Sequence, residues 1–160
     1  ESPMEDENPR MPSILRRPEI IHGVRNLVQN AVDFANEQIW VEITWSAEKI
    51  NVRIIDDGRG FPTDMIGRIG DPFMRRRTTQ REKISRPGYE GMGLGLFIAK
   101  TLLERSGAEL NFFNGRDEFG RKRADGKKGA IVNVEWNRSD IDARNGPNAI
   151  EAGSNQPIEV

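Results

Sequence analysis

Three short stretches bring together side chains and bare backbone at spacings that could do chemistry. In NLVQNAVDFA (26–35) the amides of Asn26 and Asn30 stand one helical turn apart. Asparagine is a poor interior helix former because its amide competes with the backbone. Two on one face are either a solvated polar surface or oxygens that can ligate a hard cation such as Mg²⁺, which also holds phosphate oxygens. In IIDDGRGF (54–61) a strand ends on the carboxylates Asp56 and Asp57 and turns through Gly58 and Gly60. Asx-type turn chemistry accounts for such a sequence. A carboxylate fixed at a strand end could also accept a hydrogen bond from an exocyclic amine, with the glycines leaving room for a flat ring. In GMGLGL (91–96), Gly91, Gly93 and Gly95 run directly into an apolar helical stretch, whose first N–H groups can face an anion. The pattern is neither G-x-G-x-x-G, since Leu96 stands at the third glycine's place, nor a Walker loop, since no G-K-[ST] follows. Close packing of a helix on a strand is the alternative reason for the glycines.

These stretches need elements to position them. From Pro18, a favoured first-turn residue, Ile20, Val24, Leu27, Val28, Ala31 and Ala35 follow helical spacing and predict a buried-face helix ending near Asn36. IWVEITW (39–45) and INVRII (50–55) alternate around the turn Ser46–Lys49, as antiparallel strands do. Residues 56–90 show little periodicity, and so long a loop implies function. Helical spacing returns through Leu94, Phe97, Ile98, Leu102 and Leu103, with Gly107 as the terminating glycine. ELNFF (109–113) and AIVNVEW (130–136) predict two more strands, joined by a basic, glycine-containing excursion. Residues 1–17 read as a linker, 18–136 as one domain, and 137–160 as a polar, aperiodic, disordered tail.

Composition narrows the function. At 160 residues, 36% hydrophobic and 31% charged, the chain has the balance of one globular domain. A net charge of −1 argues against bulk attraction to nucleic acid or anionic lipid. There is no cysteine, so disulfides, thiolate metal sites and a cysteine nucleophile are excluded within these residues. No apolar run is long enough to span a bilayer and residues 1–12 lack a signal-peptide pattern, so a cytoplasmic location with no direct membrane contact is expected.

Taken in order, N-x-x-x-N, D-x-G-x-G, the Phe-containing DPFMRR and G-x-G-x-G resemble the N, G1, F and G2 boxes of histidine-kinase catalytic domains of the GHKL ATPase superfamily. The resemblance covers roughly residues 18–136. NLVQNAVDFA with GYEGMGLGLFIAKTLLERSGAEL looks most like the redox-responsive RegB/PrrB/ActS sensor kinases. The resemblance implies an α/β fold, a two-layer sandwich of the Bergerat type whose mixed sheet carries helices on one face. It implies ATP and Mg²⁺ as ligands, with Asn26 and Asn30 as catalytic residues and Asn30 as the metal ligand. It makes Asp56 the adenine anchor, lets Gly58 and Gly60 admit the base, and adds Phe73, Gly91, Gly93, Leu94, Gly95 and Leu96 to the nucleotide site. Residues 74–90 would form a basic lid containing Arg75, Arg76, Arg77, Arg81, Lys83 and Arg86.

The implied partner is the dimerisation and histidine-phosphotransfer domain of the same kinase, a response regulator taking part indirectly, with no nucleic acid. The implied setting is the cytoplasmic part of a membrane-anchored sensor kinase. Three departures stand out. Asp33 occupies a place where many such kinases carry a base toward the phosphates. The last glycine box, GKKGAIVNVEW, has Gly126 and Gly129 but no following Thr or Ser. No H-[ED]-L-x-[TS]-P box occurs, and His22, the single histidine, begins the N-box helix, so the phosphoacceptor is expected outside this chain. Gyrase-like and chaperone ATPases need a water-activating glutamate that Gln29 and Asn26 do not supply. The alternative from another class is a nucleotide-responsive binding module of the same fold that acts without phosphotransfer.

Overall fold

The computed structural model describes residues 9–62, Ile66, 92–115 and 126–143. The expected Phe73, Gly91 and lid segment 74–90 lie outside the described residues. The elements run α1 (Pro18–Phe34), β1 (Ile39–Trp45), β2 (Lys49–Asp56), α2 (Met92–Arg105), β3 (Glu109–Asn114), β4 (Ala130–Asn137) and the short α3 (Arg138–Ile141). Each periodic segment read from the sequence is therefore present, with ends shifted by a residue or two.

The strands form one four-stranded sheet in the order β1-β2-β4-β3. Alternate residues point to one face: Ile50, Val52 and Ile54 of β2, Val132, Val134 and Trp136 of β4, and Leu110 of β3. They meet Ile20, Leu27 and Ala31 of α1 and Leu96, Ala99 and Leu103 of α2 in a single core. This is the expected two-layer sandwich with both helices on one face. The expected mixed sheet requires correction, because every pairing among the described strands is antiparallel. The crossover through α2 does return β3 in the direction of β2. However, β4 inserts between them and runs against both.

Small residues let the helices approach. A Cβ on Gly23 of α1 would lie 2.5 Å from Cγ of Leu103 on α2, and Leu103 is wholly buried. Helix α2 ends as expected at Gly107, whose φ of +93° suits a residue without a side chain. The N–H of Ala108 there returns to the Leu103 carbonyl at 3.0 Å.

The boundaries expected at 17/18 and 136/137 are crossed by hydrogen bonds. Leu15 N–H donates to the Ile141 carbonyl and Ala143 N–H to that of Ser13, each at 2.7 Å. Arg138 and Asp142, 4% and 1% exposed, pair at 2.8 Å. Arg138 also donates to the carbonyls of Ser46 at 2.9 Å and of Arg10. Two segments without hydrophobic period are thus joined by hydrogen bonds around a buried ion pair, a linkage that periodicity does not register.

Candidate functional site

The end of β2 sets the site. Asp56 is 3% exposed, and its Oδ1 accepts from the backbone N–H of Gly58 at 2.8 Å and of Ala130 at 3.1 Å. The Gly129 N–H donates to the Asp56 carbonyl at 3.0 Å. Oδ2 accepts no hydrogen bond from the described residues, and it is not among the buried atoms left without a partner. The carboxylate is therefore held by one oxygen and offers the other. Burial pushes its pKa above the usual carboxylate value. The Gly58 and Ala130 N–H groups oppose that shift, and the neighbouring Asp57 charge adds to it.

Asp57 turns the other way. Its Oδ1 accepts from the backbone N–H of Asn36 at 2.8 Å and of Glu37 at 3.1 Å, tying the Asp-Gly turn to the end of α1. Desolvation raises its pKa, and the N–H groups of Glu37, Gln38 and Asn36 together outweigh that, leaving it below the usual value.

The glycines divide into two kinds. A Cβ on Gly58 would lie 2.2 Å from the Phe34 carbonyl oxygen, and one on Gly60, whose φ is +80°, would lie 2.5 Å from Asn114 Oδ1. The packing of the protein itself thus requires both to be bare. Gly129 is tighter still, its Cβ position being 1.9 Å from Asp56 Oδ1. By contrast, nothing lies within 4 Å of a Cβ on Gly93, and on Gly95 only Asn30 Oδ1 would, at 3.9 Å. Close helix packing therefore does not account for the glycines that open α2. Gly95 leaves space in front of Asn30.

Asn26 and Asn30 are half-buried on α1, whereas His22, Gln29 and Asp33 are exposed. Asn26 Nδ2 donates to the His22 carbonyl one turn back at 2.9 Å. The Asn30 amide makes no hydrogen bond with the described residues, so its oxygen is uncommitted at a place where Gly95 presents no side chain. Asp33 receives Gln29 Nε2 at 2.9 Å, so its charge is engaged within its own helix. Leu94 is 38% exposed and Leu96 1%. The Leu96 side chain belongs to the core, which leaves only its backbone to face the site.

Sequence reasoning named Gly129 only as part of a weak last glycine box and passed over Ala130 and Asn114. The visible signal was the glycine pair Gly126 and Gly129 ahead of a strand, discounted for want of a hydroxyl residue. What holds Asp56 is the backbone N–H of Ala130 and the absent side chain of Gly129, and neither requires a hydroxyl. Among the described residues no three His, Asp or Glu side chains gather into a metal site, and no helix is long and apolar enough to cross a membrane.

The chain is similar to known proteins in sequence and in fold. The sequence model of the histidine kinase-, DNA gyrase B- and HSP90-like ATPases matches residues 16–139. Over 128 residues the chain is 61% identical to the sensor histidine kinase RegB of Cereibacter sphaeroides, spanning 79% of this chain and 28% of that protein. In three dimensions it is similar to full-length ShkA, solved in complex with AMPPNP, with a TM-score of 0.55 at 20% identity over 82% of this chain and 24% of that one. A mycobacterial sensor histidine kinase, MprB, matches with a TM-score of 0.50 at 19% identity over 72% of this chain and 70% of that one, a likeness of fold. The chain belongs to the histidine kinase-, DNA gyrase B- and HSP90-like ATPase family, as an ATP-binding catalytic domain of the sensor histidine kinase type.

Proposed function

We propose that this chain binds Mg-ATP between α1 and the opening of α2 and presents the γ-phosphoryl group to a histidine on the dimerisation domain of the same kinase. The observation that carries the reading is Asp56: a buried carboxylate with Oδ1 committed to two backbone N–H groups and Oδ2 free of described partners. Oδ2 is suited to accept from the exocyclic amine of adenine. Asn30 would hold Mg²⁺ through its uncommitted amide oxygen, an arrangement the bare Cα of Gly95 leaves room for. When bound, the ion offsets the charge of the phosphates. Most of its ligands would be phosphate oxygens and water, as is usual for Mg²⁺.

The chain's own contribution to catalysis is then position and electrostatics. Asp56 sets the base, and the open start of α2 faces the phosphates. Phe73, Gly91, Gly93, the backbone at Leu94 and Leu96, and a basic lid at 74–90 complete the proposed nucleotide site. The acceptor imidazole nitrogen attacks the γ-phosphorus, the bond from phosphorus to the β–γ bridging oxygen breaks, and ADP leaves. The chain spans 28% of the related kinase; the acceptor histidine, membrane anchor and redox sensing are assigned to other parts of such a kinase, and the response regulator is a separate partner that takes part indirectly.

Radiolabelled ATP supplies the test. The chain alone should take up no acid-labile phosphate, whereas mixing it with a dimerisation fragment of its kinase should label that fragment slowly, since the effective concentration given by a covalent link is lost. Label on His22 would overturn the assignment of the acceptor. Nucleotide binding with no transfer in the mixture would favour a binding module.

A further inference from the structure

Asn114 closes β3, and its side chain is committed to the turn that follows Asp56. Its Oδ1 accepts the Phe61 N–H at 2.7 Å and its Nδ2 donates to the Phe61 carbonyl at 2.9 Å. One side-chain amide thus satisfies both backbone groups of a residue that belongs to no strand, as a neighbouring strand would do. The Phe61 ring is 3% exposed and meets Phe112 edge-on, with centroids 6.0 Å apart. Gly60 is left-handed against Asn114. The far end of the Asp56–Phe61 turn is therefore fixed at ring, backbone and conformation, and Asn114 provides two of these restraints.

The near end is fixed by the same pair of strand ends. Gly115 N–H donates to the Gly129 carbonyl at 2.8 Å, and Gly129 N–H to that of Asp56 at 3.0 Å. Between the two anchors lies Gly58, whose N–H orients the Asp56 carboxylate. Any tilt of the turn moves that donor.

We propose that Asn114 is a positioning residue for base recognition: by clasping Phe61 it holds the turn whose Gly58 N–H aims Asp56 Oδ2. The inference rests on the reading of Asp56 as the adenine anchor. A contact that serves only the fold would change the melting temperature and leave base selectivity alone. A positioning contact alters selectivity, because a misdirected carboxylate distinguishes the amine of adenine from the carbonyl of guanine less well.

The test compares ATP and GTP binding to the full chain by calorimetry, for wild type, Asn114→Ala, Asn114→Asp and Asp56→Asn, at a temperature where circular dichroism shows each folded. Asn114→Ala should weaken ATP binding by about three- to tenfold and GTP binding less, so that the ATP-to-GTP preference falls. Asn114→Asp keeps the oxygen that accepts from Phe61 N–H but sets a second acceptor against the Phe61 carbonyl, so it should lower the ATP-to-GTP preference at least as far as the alanine variant does. It also supplies the reading if the alanine variant melts too low. A lowered melting temperature with unchanged ATP affinity and preference would overturn the positioning role, provided Asp56→Asn still weakens binding. If Asp56→Asn itself leaves ATP affinity unchanged, the adenine-anchor reading fails and the role of Asn114 fails with it.

Discussion

Replacing Asp56 with asparagine should separate binding from stability. The amide oxygen of asparagine can keep both bonds that Asp56 Oδ1 accepts, from Gly58 and Ala130. The change falls on the other atom, where an accepting oxygen becomes an NH₂ facing the amine of adenine. Losing a charged acceptor costs about 1.5–3 kcal/mol, or roughly ten- to a hundredfold in affinity. Stability should respond in the opposite sense. Burial raises the Asp56 pKa, so between its unfolded value and that raised value the native state binds more protons, and stability falls as pH rises through the window. Above the window the cost of the buried charge persists. The asparagine variant should therefore melt at or above the wild-type temperature near neutral pH, and lose that advantage below about pH 4, where the carboxyl is neutral in both states. Calorimetry with ATP and thermal melts across this range read the two effects together. Unchanged affinity with an intact fold would remove Asp56 from the site, and a clearly lower neutral-pH melting temperature would refute the burial argument.

Gly129→Ala places a methyl group 1.9 Å from Asp56 Oδ1 with backbone on its other sides; it should cost at least about 2 kcal/mol in denaturant melts and weaken ATP binding more than tenfold. Asn30→Ala should reduce nucleotide affinity in Mg²⁺ and leave metal-free affinity nearly unchanged, since the amide it removes makes no described bond; equal losses with and without metal would make Asn30 structural. Asp142→Ala leaves the buried Arg138 without its carboxylate and should cost about 3–5 kcal/mol, while replacing both partners with apolar residues of similar size should cost less.

The two long helices and the four strands were legible from their hydrophobic periods, whereas the short α3 lies in a stretch that reads as aperiodic. Ile20, Leu27 and Ala31 mark one helix face, and Ile50, Val52 and Ile54 one strand face, and all are buried as the pattern requires. What periodicity could not carry was contact between distant segments. That β4 would insert between β2 and β3, that Ala130 would donate to Asp56, and that Arg10 would lie on Arg138 are matters of assembly, and the residues concerned look unremarkable in line. The site showed the same division. Asn30 and Asp56 stood out by type and spacing. Gly58 and Gly60 stood out as glycines of a turn, but the bodies that exclude their side chains, the Phe34 carbonyl and Asn114, lie far off in sequence.

The place of β4 in the sheet has a consequence for how the domain is made. β4 is the last of the described strands and lies between two earlier ones, with Ile131 opposite Ile55 and Val132 opposite Phe112. The β1–β2 hairpin closes a short loop and can form early, whereas joining β2 to β4 closes a long one, and such contacts slow folding. During synthesis β2 and β3 must wait with facing edges unpaired, which is when a chain is most open to aggregation. Asp56 waits with them, its Oδ1 lacking the Ala130 bond until that strand has emerged. A ribosome stalled before residue 130 therefore carries most of the helices and strands but no finished carboxylate site, so nucleotide can stabilise the nascent domain only at the end of its synthesis.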